Sequence, residues 1–215
     1  MKYVEYQAYD LDDTEAEVKI KIEKALTYKV NSICVPYSYT KTAKSLAKNT
    51  STVIANAVDY PLGLSDTASR NTMIMNSIDN GAQKINIVIQ NNYLANKKYD
   101  KIKQDIQSNY EICASKSIDL SYYLEYRIFT HQSLIKACGL LSENNIKTVY
   151  VSTGYLLDNP EDNLIATMLL KEKTNIEVIF SGNLWTQKHI KNITKNHIDN
   201  IRTNTILGLD LIYAS

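Results

Sequence analysis

Three charged residues stand where alternation points them away from β-branched neighbours. Glu5 lies in Tyr3-Val4-Glu5-Tyr6-Gln7, Glu125 ends the run from Ile118, and Lys84 opens Lys84-Ile85-Asn86-Ile87-Val88-Ile89-Gln90. Charges on the inner face of a buried strand must be paired or neutralised. Two chemistries follow from them. One is a structural ion pair between Lys84 and a carboxylate. The other is a glutamate whose raised pKa suits it to general acid or base work. Cys34, ending Ser32–Val35, is either a small buried hydrophobe or a reactive thiol. His189 and His197 are eight apart on one helix face, but no cysteine or carboxylate joins them at metal spacing, and His131 is remote, so no metal is expected. No Gly-x-Ser-x-Gly elbow, Walker loop or dinucleotide fingerprint occurs.

The elements that must hold these residues alternate along the whole chain. Strands are predicted at Tyr3–Ala8, Ser32–Val35, Thr52–Val58, Ile85–Ile89, Ile118–Glu125, Thr148–Ser152, Glu177–Ser181 and Thr205–Leu209. Helices are predicted from Thr14 to Tyr28 and over Tyr39–Lys48, Ser65–Asn80, Lys97–Ser117, His131–Glu143, Glu161–Lys171 and Thr186–Lys195. A truncated last helix, Ile212–Ser215, follows the eighth strand. Eight strand-plus-helix units in 215 residues, about 27 apiece, fit an α/β fold of the (β/α)8 TIM barrel type. No linker divides the chain, so residues 1–215 read as one domain. An open doubly wound sheet is the competitor, but the turn after strand one, Tyr9-Asp10-Leu11-Asp12, lacks the glycines that such a sheet uses for phosphate.

Strand periodicity then assigns the lumen. Tyr3, Glu5, Gln7, Lys84, Asn86, Val88, Gln90, Ser121, Tyr123, Glu125, Thr148, Tyr150, Ser152, Glu177, Ile179 and Ser181 face inward. Gly63, Gly154, Gly182 and Gly208 fall at the rim, where barrels keep their sites.

Composition narrows the class. The charge balance, 24 basic against 23 acidic side chains, offers no footprint for nucleic acid or anionic membrane. No apolar run reaches the roughly 20 residues of a spanning helix, and Glu5 interrupts any secretory core at the N-terminus. Three widely spaced cysteines, Cys34, Cys113 and Cys138, read as reduced thiols of a cytoplasmic protein. The 16 tyrosines against 2 phenylalanines read as a substitution habit more than as a ligand platform.

Five strings together point to a family. Asn31-Ser-Ile-Cys-Val-Pro-Tyr-Ser-Tyr, Val58-Asp-Tyr-Pro-Leu-Gly, Gly81-Ala-Gln-Lys-Ile-Asn-Ile-Val-Ile, Ser152-Thr-Gly and Ser181-Gly-Asn occur in the order and spacing of deoxyribose-5-phosphate aldolase, which the chain resembles over almost its full length. The resemblance implies a (β/α)8 barrel and a metal-free, cofactor-free class I aldol cleavage. In that reaction a lysine forms a Schiff base, a second lysine lowers its pKa, and an aspartate helps to move protons. It matches the Schiff-base lysine to Tyr150, the second lysine to Ile179 and the aspartate to Asn86. None of these three can take over the role of the residue it replaces. The family's phosphate serines are matched to the run Gly208-Leu209-Asp210-Leu211, so that a carboxylate would repel the anion.

The expectation is thus an aldolase-like barrel without Schiff-base activity or sugar-phosphate binding, acting as a binding or regulatory module. Its pocket would be drawn from Glu5, Cys34, Glu125, Ser152, Thr153, Gly154, Ser181, Gly182, Asn183, Gly208 and Asp210, and would take a small uncharged ligand. The alternatives are a lyase on another small sugar or carbonyl ligand at the same mouth, or residual aldolase activity. Apolar surface left by the truncated last helix suggests a homodimer.

Overall fold

A computed structural model describes residues 1–156 and 159–214. Eight parallel strands close into a barrel in chain order: β1 Tyr3–Gln7, β2 Ser32–Val35, β3 Val53–Val58, β4 Lys84–Val88, β5 Asp119–Tyr123, β6 Thr148–Tyr150, β7 Glu177–Ser181 and β8 Asn200–Thr203. The seam pairs β1 with β8, setting Glu5 beside Arg202. Around it run α1 Glu15–Thr27, α2 Thr40–Leu46, α3 Thr67–Asp79, α4 Asn91–Ala95, α5 Tyr99–Ser115, α6 His131–Glu143, α7 Pro160–Lys173, α8 Gln187–Lys195 and α9 Ile206–Tyr213.

Short polar residues start the helices where orphan N–H groups need acceptors. Thr14 and Glu17 form a reciprocal capping box on α1, with Glu17 Oε2 accepting from the Thr14 N–H at 2.7 Å. Asp66 caps α3, Thr130 caps α6, and Asn159 caps α7 ahead of Pro160. The apolar strand faces then pack on these helices: Ile85, Ile87, Val149 and Val178 on one side of the barrel, Val4, Tyr6, Ile33 and Phe180 on the other.

Most boundaries fall within two residues of the sequence reading, and two regions depart from it further. The helix expected over Lys97–Ser117 is α5, and a short helix not expected from the sequence, α4, precedes it, set apart by Lys97 with its left-handed φ of 52°. The eighth strand is Asn200–Thr203, not Thr205–Leu209. Thr205 instead caps α9, accepting the Gly208 N–H at 3.0 Å, and the apolar run after it is a helix face. The expected terminal stub is thereby a full two-turn helix. Its Ser215 lies outside the described residues.

Candidate functional site

Inside the barrel Tyr3, Glu5, Lys84, Asn86 and Tyr150 form one connected polar network. Glu5 is fully buried, and its Oε1 accepts from Asn86 Nδ2 at 2.9 Å. Its Oε2 accepts from the Tyr3 hydroxyl at 2.9 Å and the Tyr150 hydroxyl at 2.8 Å. Lys84 Nζ donates to those same two hydroxyls at 2.8 and 2.9 Å and stands 3.6 Å from Glu5 Oε2. The structural ion pair expected from alternation is therefore present, with two tyrosines wedged into it. Burial alone would raise the Glu5 pKa. The Lys84 charge, the Tyr150 hydrogen bond and the Arg202 charge outweigh it and hold the carboxyl below its usual range. This glutamate is an anchored anion, not a poised acid.

Glu125 is the opposite case. It sits at the end of β5, where its Oε2 accepts from the Thr153 hydroxyl at 2.7 Å and the Thr153 N–H at 3.2 Å. Burial raises its pKa despite those bonds, and Oε1 is buried with no partner. Glu125 and Thr153 both line a cleft of about 220 Å³ with Leu62, Leu64 and Tyr155. Of the two glutamates, this is the one whose surroundings suit proton transfer.

A second mouth cleft, about 270 Å³, lies between Gln7, Tyr9, Tyr60, Gly154, Tyr155 and Asn204. Tyr60 spans the opening, donating to the Thr153 carbonyl at 2.7 Å. Beneath it Tyr123 meets the Tyr60 ring edge-on and the Tyr150 ring at a tilt, with centroid separations of 5.6 and 4.7 Å, and Ile179 and Val88 complete the plug. Four of the tyrosines, Tyr3, Tyr60, Tyr123 and Tyr150, thus pack together in the lumen.

The remaining predicted positions separate into two groups. Cys34 faces the lumen 3.8 Å from the Tyr123 hydroxyl, but burial, reinforced by the Glu5 charge, pushes its thiol up to about 12, which excludes a thiolate at neutral pH. Ser152 accepts the Gly154 N–H at 2.8 Å, and Gly154 has φ +77°, the left-handed conformation that favours glycine. Ser181 Oγ accepts from Arg202 Nη1 at 2.7 Å, and the Gly182 N–H is spent on the Arg202 carbonyl at 3.0 Å. Asn183 follows on the same loop, half-buried. All of these lie around the mouth. Gly208, in the first turn of α9, packs against Thr203 at the end of β8 and stays beside the mouth, whereas Asp210 does not share it. Asp210 lies further along α9 and accepts a hydrogen bond from Tyr28, the C-cap of α1, on the outer surface. The misplaced strand eight put Asp210 at the rim, so the repulsion argued from it, and with it the ground for expecting an uncharged ligand, falls.

The same slip hid Arg202. It reaches inward from β8, only 2% exposed, with its guanidinium 5.0 Å over the Tyr123 ring and its Nε without a partner. Asn200-Ile201-Arg202-Thr203 alternates correctly, with Ile201 toward the helices, and that was the available signal. Among the described residues no group of three or more His, Cys, Asp or Glu side chains could hold a metal ion, and no helix is long and apolar enough to cross a membrane.

No family model matches the chain. A deoxyribose-phosphate aldolase of Finegoldia magna is 30% identical over 154 residues, spanning 72% of this chain and 71% of that relative. The chain belongs to the deoxyribose-phosphate aldolase family. A second family member, from Clostridium botulinum, is 28% identical over 211 residues and 98% of both chains. Among solved structures, a deoxyribose phosphate aldolase from Aeropyrum pernix superposes with a TM-score of 0.85 over 99% of this chain and 90% of its own at 15% identity, a likeness of fold. An aldolase designated QR15 gives the same TM-score at 19% identity. The family assignment and the closed barrel agree with the resemblance carried by the five strings. Within that family frame Asn86, Tyr150 and Ile179 all project into the lumen, as alternation requires.

Proposed function

We propose that this family member does not run Schiff-base aldol cleavage and instead uses its barrel mouth to hold a small ligand, as a binding or regulatory protein. The observation that carries this reading is the position of Lys84. It is the one buried lysine among the described residues. Its amine lies on the floor side of Tyr150, tied to two tyrosine hydroxyls and facing Glu5. A carbonyl entering from the mouth meets Tyr60, Tyr123, Tyr150 and Ile179 first. Tyrosine cannot form an iminium, isoleucine cannot tune a neighbouring amine, and asparagine at 86 does not titrate. Arg202 is cationic but remains protonated, so it cannot serve as the nucleophile.

The turn N–H groups support the same reading for the phosphate. Those of Gly154 and Gly182 are engaged by Ser152 and Arg202, and that of Gly208 by Thr205 in a helix cap. Clefts of about 220 and 270 Å³ meeting at Tyr155 are the size of a small sugar or nucleoside fragment. Hydrogen-bonding groups on Gln7, Glu125 and Asn204 around apolar walls suit such a molecule.

Two measurements test this. A retro-aldol assay with deoxyribose-5-phosphate should give no turnover above buffer. Saturable turnover lost in Lys84→Met would overturn the reading in favour of a surviving aldolase. A thermal-shift panel of sugars and nucleosides should yield at least one ligand that raises Tm, with the rise abolished by Gly154→Leu. A panel with no such ligand counts against the mouth as a binding site.

A further inference from the structure

The end of the barrel opposite the mouth holds a cavity of about 710 Å³, against about 220 and 270 Å³ for the mouth clefts. It is formed where the strands begin. Tyr110 and Ala114 of α5, with Ile118 and Leu120, give it an apolar wall, and Lys84, Ser121 and Thr148 face that wall with an ammonium and two hydroxyls. In most barrels this face is only structural. Here a lysine side chain 9% exposed opens onto it.

The charge inside the barrel is unbalanced. Glu5 feels two buried cations, Lys84 and Arg202, and one carboxylate cannot neutralise both. Tyr3 and Tyr150 hold Lys84 Nζ 3.6 Å from Glu5 Oε2, beyond a direct hydrogen bond. Glu125, the other buried glutamate, is bound to Thr153 at the mouth. Arg202 is enclosed. Lys84 is the buried cation that a molecule in the floor cavity can reach, and the exposed Lys2 and Lys147 stand at the same cavity.

We propose that this cavity binds a small organic monocarboxylate, its carboxylate on Lys84 Nζ with the Ser121 and Thr148 hydroxyls, and its apolar body against Leu120, Ile118 and Tyr110. A single negative charge fits better than a phosphate dianion, because Asp119 and Glu177 offset Lys2 and Lys147 around the cavity and leave the one charge of Lys84 to be matched, and because phosphate has no apolar body to cover the wall.

The test is a titration of the ¹⁵N-labelled full chain with hexanoate, followed by amide chemical shifts. Saturable shifts are expected at Leu120, Ser121 and Thr148, and none at Gly154 or Asn204. Hexan-1-ol and inorganic phosphate should each bind at least tenfold more weakly. Lys84→Met should raise Kd at least tenfold. Should that variant fail to fold, Ala114→Trp, an exposed substitution that fills the apolar wall, should raise Kd likewise. The proposal is overturned by an absence of saturable shifts at the floor, by shifts at the mouth instead, by hexan-1-ol or phosphate binding as tightly as hexanoate, or by unchanged affinity in the folded variants.

Discussion

The hydroxyl of Tyr150 accepts a hydrogen bond from Lys84 Nζ at 2.9 Å and donates one to Glu5 Oε2 at 2.8 Å, so that a phenol bridges the buried ion pair. Tyr150→Phe should therefore leave a buried carboxylate and a buried ammonium each short of one partner. The expected loss is about 1–3 kcal/mol, the usual cost of stranding a buried polar group, read as a lower urea midpoint with an unchanged m-value. An unchanged midpoint would show that the bridge is dispensable.

The Lys84–Glu5 pair has a definite pH signature. Because the Glu5 pKa is lowered on folding, its contribution is complete above the ordinary glutamate range and is lost as pH falls through the folded value. Lys84→Met reverses this, leaving the carboxylate buried without its nearest cation. The variant should lose about 3–5 kcal/mol at neutral pH, and the gap from the parent should narrow below about pH 4, where the free carboxyl protonates. A pH-independent gap would contradict the pairing.

Glu125 should behave with the opposite sign. Its folded pKa is raised, so its ionisation weakens the fold as pH rises through that value. Glu125→Gln removes the titration while retaining an acceptor for Thr153. Relative to the parent, the variant should gain stability as pH increases from below the ordinary glutamate range to neutrality, measured by Tm against pH. A flat difference would mean that Glu125 is not buried as described.

Outside the lumen, fully buried Arg70 of α3 ties Asp59 and Asp105 together at 2.7 and 3.2 Å and donates to the Val88 carbonyl at 2.7 Å. Arg70→Met strands two acidic groups and should cost about 3–5 kcal/mol, without altering the amide shifts of Gly154 or Asn204. Calorimetry and the amide spectrum check the two halves of this separately.

Much of the architecture was legible because strand alternation and helix caps act locally. His131–Glu143 and Glu177–Ser181 were predicted to the residue, and the lumen positions of Lys84, Asn86, Tyr150 and Ile179 followed from a period of two. The error lay where two patterns compete. Thr205-Ile-Leu-Gly-Leu reads as a buried strand, yet Thr205 makes a better helix cap, and short Asn200–Thr203 carries only one apolar residue. That slip displaced Asp210 to the rim and concealed Arg202. The bridging role of Tyr150 and the floor cavity were not legible, since both depend on contacts between residues far apart in the chain.

The central claim concerns the absence of a carbonyl-capturing amine at the mouth. Sodium borohydride reduction of the full chain with saturating deoxyribose-5-phosphate, followed by intact mass and peptide mapping, tests it directly. The account predicts a protein of unchanged mass. A reduced adduct at Lys84, or at any other lumen-facing lysine, would contradict it.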